Sequence, residues 1–154
     1  MIDIEATVSW SRQAHETFTD QRYSRAHTWH FDGGADVAAS SSPHIVPLPY
    51  SVAAHVDPEE AYVASLSSCH MLVFLFIAAK RGYAVDSYRD RAQGLMEKNQ
   101  QGQLYISRVT LHPRVAYRDT APDAATEQAL HHEAHAQCFI ANSVRTVIDT
   151  VIEP

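Results

Sequence analysis

Residues 57–82 read DPEEAYVASLSSCHMLVFLFIAAKRG, and both ends of this stretch carry helix punctuation. Asp57 suits a cap, Pro58 the first helical position, and Glu59 and Glu60 the positive pole, with Asp57 and Glu60 at capping-box spacing. At the other end Lys80 and Arg81 favour the negative pole and Gly82 closes the helix. The pattern predicts a helix from Pro58 to about Lys80. Ala61, Tyr62, Val63, Leu66, Met71, Leu72, Val73, Phe74, Leu75, Phe76 and Ile77 cover almost every face of it. A helix that is apolar all round is a buried helix. At 1.5 Å per residue this rod is about 34 Å long, more than one small domain readily surrounds, so a second subunit is expected to cover part of it as a homodimer.

On the N-terminal side, Ala6, Val8, Trp10 and then His27, Trp29, Phe31 alternate like short strands around the polar segment Ser11 to Ser24. Asp32-Gly33-Gly34 signals a turn, and Ala35 to Ala54 reads as a strand end and a long loop. Ile45, Val46, Leu48 and Tyr50 make that loop too apolar for a linker, so no domain boundary is placed there. On the C-terminal side, Tyr83 to Asn99 and Gln103 to Tyr117 read as two strands joined by the turn Asn99-Gln100-Gln101-Gly102. Thr120-Ala-Pro-Asp123 supplies caps for a second helix, Pro122 to about Gln137, with Leu130, Ala134 and Cys138 at four-residue steps and Glu127, Gln128, His131 and Glu133 on its wetter sides. Phe139–Ser143 is ambiguous, and Thr146 to Ile152 alternates as a closing strand. Strands, long helix, hairpin, helix and strand make an α+β order, with the long buried central helix packed on antiparallel sheets in a single domain over residues 1–154.

Composition narrows the function classes. The chain has 154 residues, 45% hydrophobic and 19% charged, which points to one globular domain with a core of its own. Twelve basic against eighteen acidic side chains give a net charge of −6, and no run of Lys or Arg occurs, so a nucleic-acid partner is not expected. The longest purely apolar stretch, Met71 to Ala79, is too short to span a bilayer, and the acidic start MIDIEATVSW does not read as a signal peptide. A cytoplasmic protein with no membrane association is expected. In a reducing compartment its two cysteines, Cys69 and Cys138, are catalytic, ligating or simply buried more often than permanently bridged.

Taken by themselves, these residues leave the chemistry open. Cys69 lies eleven residues into the long helix, too far from its positive end for the dipole to activate the thiol, and a lone cysteine on an apolar helix is most often a core residue. His131, His135 and Cys138 stand at i, i+4 and i+7, a spacing usable for zinc, although a fourth ligand is not evident and a solvated helix flank is the commoner explanation of such histidines. His70 follows Cys69 directly, but neighbours on a helix point about 100° apart and pair poorly as nucleophile and base. No G-x-G-x-x-G or P-loop is present.

The segment Asp57-Pro-Glu-Glu-Ala-Tyr-Val-Ala-Ser-Leu-Ser-Ser-Cys69 resembles the N-P-E-x-L-x-x-A-x-x-x-x-C segment of the OsmC and organic hydroperoxide resistance (Ohr) family. A second cysteine follows in Ala134-His-Ala-Gln-Cys138, as in that family, and the order of elements is similar over most of the chain. The resemblance implies an OsmC-like fold and an intertwined homodimer with active sites at its interface. It also implies a cofactor-free thiol peroxidase of organic hydroperoxides, with Cys69 as the attacking thiolate and Cys138 as the resolving thiol. The family's Glu matches Glu59, and its thiolate-stabilising Arg matches Arg22 best, with Arg25 as competitor. Relatives are commonly reduced by lipoyl-bearing proteins. A pocket of Tyr62, Leu66, Val73 and loop residues such as Ile45 or Leu48 is expected to favour fatty or aromatic hydroperoxides. Phe139 after the second cysteine, Asp20-Gln-Arg-Tyr-Ser before the candidate Arg, and His70 depart from the family pattern and mark a divergent branch. The alternative is a metal- or small-molecule-binding protein using His131, His135 and Cys138.

Overall fold

The structure, a computed structural model, describes all residues from Met1 to Pro154. Its elements are β1 (Ala6–Ser9), β2 (His27–Phe31), β3 (Asp36–Ala39), α1 (Pro58–Lys80), β4 (Val85–Asp90), β5 (Gln93–Lys98), β6 (Leu104–Leu111), β7 (Pro113–Tyr117), α2 (Ala124–Gln137) and β8 (Val147–Thr150). A single 3-10 turn at Ala141–Ser143 follows α2. The chain divides into two compact units, Met1–Ala61 and Tyr62–Pro154.

In the first unit, β1, β2 and β3 form an antiparallel sheet in that order. The long loop after β3 is held by hydroxyl and backbone bonds: Ser40 N–H donates to Val56 O, and the Val52 N–H donates to Ser40 Oγ at 3.0 Å. The unit ends in the first turn of α1, where the capping box closes in both directions. Asp57 N–H donates to Glu60 Oε1 at 2.9 Å and Glu60 N–H to Asp57 Oδ1 at 2.8 Å.

In the second unit α1 ends as the sequence implies. Gly82, at φ +84°, lets Tyr83 N–H reach back to Ala78 O while Gly82 N–H bonds Ala79 O, which is the Schellman arrangement. The helix buries Leu66, His70, Phe74, Ile77 and Ala78 and leaves Leu72 and Phe76 61% and 65% exposed. By length and composition it would suffice to cross a membrane, yet its buried side forms protein core. Phe74, Ile77 and Ala78 pack with Leu130 and Ala134 of α2, whereas Leu66 packs with Val109 and Leu111 of β6. Being apolar all round, α1 is thus only partly covered by its own chain.

The hairpin differs from the two unbroken strands expected over Tyr83–Asn99 and Gln103–Tyr117. Each breaks in the middle, so that β4 pairs with β7 and β5 with β6, both antiparallel. Asp90 explains the break: its Oδ1 takes the backbone N–H of His112 at 2.6 Å and its Oδ2 accepts Ser67 Oγ–H of α1, which removes a ladder donor at the bend. The closing strand β8 is shorter than Thr146–Ile152 and joins β6 in parallel, an exception to the expected all-antiparallel sheets. The helix α2 starts at Ala124, two residues later than expected, because Asp123 caps it through Thr126 N–H.

Gly94 in β5 sits where α1 presses on the sheet: a Cβ there would stand 2.7 Å from the Val63 Cγ2 methyl. Gly94→Ala is therefore expected to lower stability by about 1–3 kcal/mol through overpacking, read as a fall in the urea midpoint. Gly94→Ala together with Val63→Ala should recover part of it.

Candidate functional site

Two helices deliver the cysteines. Cys69 lies in the middle of α1, half-buried, and Cys138 closes α2 and is 1% exposed; both are free thiols. The chain after α2 folds back over Cys138, with Ala141 N–H pointing at its Sγ at 3.5 Å and Asn142 N–H bonding its carbonyl at 3.0 Å. Burial, and then the neighbouring Cys69 thiol, push the Cys138 thiol up to about 11. Cys138 is thus protonated at neutral pH.

His70 and His131 meet between the same two helices. His70 Nε2 lies 3.0 Å from His131 Nδ1, the rings are parallel within 4° at 5.3 Å, and Phe74 stacks on the other side of His131 at 4.2 Å. The expected placement of His131 on a wet side of α2 is corrected by this contact: it is 1% exposed. Burial holds both imidazoles neutral, down to about 4, with His135 opposing and Asp90 favouring the charge on His70. The unfolded pKa is near 6.5, so between pH 6.5 and 4 the unfolded chain binds more protons than the folded one. Stability from this pair is complete above pH 6.5 and declines on acidification toward 4. Thermal scans from pH 7 to pH 4.5 should show Tm falling, and the fall should shrink in His131→Asn, which keeps one buried imidazole instead of two.

The proposed zinc face is not assembled. No three His, Cys, Asp or Glu side chains converge as a ligand set, since His131 turns Nδ1 to His70. His131, His135 and Cys138 share a helix face in spacing but not a common focus.

In the N-terminal unit, Glu59 lies in the first turn of α1 with Oε2 buried and without a hydrogen-bond partner. Burial raises its carboxyl, and the neighbouring Asp57 adds to the rise. Arg25 stacks over the Tyr23 ring at 3.7 Å and donates to Gln21 O and Tyr23 O, while Arg22 is exposed. Neither arginine forms an ion pair with Glu59, so the expected Arg–Glu couple is not made within this chain. Because α1 runs unbroken from Pro58, Glu59 and Cys69 are separated by about 15 Å of helix rise.

The expected pocket is corrected in part. Leu66 belongs to the core with Val109 and Leu111, and Tyr62 sends its hydroxyl to Thr146 Oγ1 at 2.6 Å. An open groove of about 580 Å³ is instead lined by Leu72, Val73 and Phe76 of the Cys69 helix and by Gln137, Phe139 and Asn142, which flank Cys138 in sequence. Of the residues expected in a pocket, only Val73 is there. Leu72 and Phe76 are detectable in sequence as an i, i+4 pair on the cysteine helix, but their meeting with Phe139 is not.

The sequence pattern of OsmC-like proteins matches residues 52–153. An OsmC-like protein of unknown function from Vibrio cholerae is 54% identical, covers 99% of this chain and 100% of its own, and superposes with a TM-score of 0.97. The chain belongs to the OsmC-like family. Two organic hydroperoxide resistance proteins share the fold at lower identity. That of Elizabethkingia anophelis is 16% identical with a TM-score of 0.72, covering 99% of this chain and 94% of its own. That of Bacillus subtilis is 20% identical with a TM-score of 0.64, covering 99% and 97%. No curated protein matches the chain.

Proposed function

We propose that this protein is a cysteine-based peroxidase of organic hydroperoxides, acting as a cytoplasmic homodimer without a cofactor. The observation that carries the reading is the pair of free thiols on α1 and α2, the two helices that share one core, with Cys69 the neighbouring thiol that helps raise Cys138. Cys69 is the more exposed of the two and is the attacking group. Its thiolate attacks the outer oxygen of R–O–O–H, the O–O bond breaks, and R–O⁻ takes up a proton and leaves as the alcohol. Cys69 is left two electrons oxidised, as the sulfenic acid. The Cys138 sulfur then attacks that sulfur, hydroxide leaves with the Cys138 proton as water, and a disulfide forms. An external dithiol, such as a lipoyl-bearing protein, reduces the bridge by exchange and becomes a disulfide itself.

The orphaned buried oxygen of Glu59 supports a cationic partner for it, which the family resemblance supplies as Arg22 or Arg25. The same resemblance brings the Arg–Glu couple to Cys69 through a second subunit. The apolar exposed stripe Leu72 and Phe76 supports covering of α1 by that subunit. Organic over inorganic peroxide is what the family resemblance implies, because an alkyl or aryl tail gains burial against apolar side chains and hydrogen peroxide gains none.

Turnover of cumene hydroperoxide and of hydrogen peroxide with dihydrolipoamide as reductant tests the reading. A kcat/KM about tenfold or more higher for cumene hydroperoxide is expected, one buried methylene group or two being worth that ratio. Equal values contradict the substrate assignment, and no dithiol-dependent turnover of either contradicts the enzyme assignment.

A further inference from the structure

We propose that the hydrogen bond between His70 and His131 positions Cys138 against Cys69, making these histidines positioning residues for closure of the disulfide. The inference rests on the thiol-pair reading above but concerns residues that the reading does not use.

His70 directly follows Cys69, and its side chain leaves α1 about 100° round from the thiol, into the contact with α2. His131 lies seven residues, about 10.5 Å of rise, before Cys138. The one polar link between the buried faces of the two helices thus sits next to one cysteine and two turns from the other. The surrounding contacts of Phe74, Ile77 and Ala78 with Leu130 and Ala134 are apolar, and apolar burial carries no direction of its own. The bond between two flat, parallel rings does, and it fixes which residues of the two helices stand opposite each other. Disulfide closure is demanding in this respect, since the Cα atoms must approach within about 4.4–6.8 Å with a defined torsion.

The pair is also an expensive way to hold two helices together. Burying two imidazoles stabilises less than burying two leucines, and here it leaves His131 Nε2 and the nearby Tyr88 hydroxyl without partners. What the polar pair adds is a single register, which an apolar pair would not specify.

The experiment separates the bond from the packing. His131→Phe keeps a ring on Phe74 and removes the bond; His131→Asn places an amide where Nδ1 stood, keeping the bond and removing the ring. Leu130→Ala thins the same helix contact without touching either histidine. Closure is followed by free-thiol count after diamide, which takes two electrons and two protons from the thiols as it becomes the hydrazine, so no peroxidase activity is needed. In parallel, cumene hydroperoxide is used and the mass of Cys69 is read.

The positioning role predicts closure slowed about tenfold in His131→Phe, with Cys69 then gaining two oxygen atoms under excess peroxide. His131→Asn and Leu130→Ala should close near the wild-type rate, the latter despite a lower Tm. Should His131→Phe not fold, His70→Met removes the same bond from the other side. Closure at the wild-type rate in the bond-less variant, or a wild type that diamide does not close, overturns the inference. So does Leu130→Ala slowed as much as His131→Phe, because packing alone then explains the effect. A wild type that diamide closes but peroxide leaves untouched overturns the peroxidase reading while the comparison of variants still decides the positioning role.

Discussion

Cys69→Ser is expected to reduce hydroperoxide consumption to the rate of the dithiol alone, the largest effect of any single substitution in this chain. A serine hydroxyl is some orders of magnitude less ionised than a thiol near neutral pH and forms no stable sulfenic-acid counterpart, so the first step is lost outright. Cys138 does not replace it. That thiol is 1% exposed and raised to about 11, so it meets neither peroxide nor the requirement for a thiolate at neutral pH. The contrast with Cys138→Ser is diagnostic, because that variant keeps the attacking group and should consume one equivalent of peroxide before stalling. The check is peroxide loss over time in the three proteins with dihydrolipoamide present. Cys69→Ser consuming peroxide as fast as wild type contradicts the assignment of Cys69, and equal slow loss in all three contradicts peroxidase activity itself.

Phe74→Ala should produce the largest loss of stability. Phe74 is fully buried, closes the core between α1 and α2, and stacks on His131 at 4.2 Å with Tyr88 at 5.6 Å. Truncation removes its transfer free energy and leaves a cavity among residues on two separate helices, a loss of about 3–5 kcal/mol. For a chain of this size that corresponds to a Tm lower by on the order of 10 °C. The cavity also strips one wall from the His70–His131 pair, so the decline of Tm on acidification should become shallower as water reaches the imidazoles and their folded pKa values return toward the unfolded one. Calorimetry at pH 7 and pH 5 checks both parts. A loss below about 1 kcal/mol would mean that α1 and α2 are not held together through this core.

Local signals in the sequence made α1 readable to the residue. Asp57, Pro58, Glu60 and Gly82 are cap chemistry written within a few positions of each terminus, and the structure realises both caps. The end of α2 at Gln137 is legible from the four-residue steps of Leu130, Ala134 and Cys138. The bend in the hairpin was not, since the group that breaks the ladder at His112 is a carboxylate twenty-two positions earlier, Asp90. The parallel seat of β8 beside β6 was hidden likewise, because alternation reports which way side chains point and not which strand lies alongside.

The candidate site divides along the same line. Cys69 and Cys138 were visible as the only two cysteines on two expected helices, and the family resemblance gave them an order of action. His131 looked solvated because its helix neighbours Gln128, His132 and Glu133 are polar. It is buried by a partner sixty-one positions away, His70, which periodicity along one helix does not reveal. Leu66 reads as a pocket wall in sequence for the converse reason: an apolar residue one turn from a cysteine lines a site or fills the core according to what packs on it, and here β6 does.

The most direct test of the central claim is the intact mass and free-thiol count after one equivalent of cumene hydroperoxide, for the wild type and for Cys138→Ser. The account predicts that the wild type loses both thiols and two hydrogen atoms in mass, and that Cys138→Ser gains oxygen on Cys69 alone. Two unreacted thiols in the wild type, or oxygen found on Cys138 while Cys69 stays reduced, would contradict it.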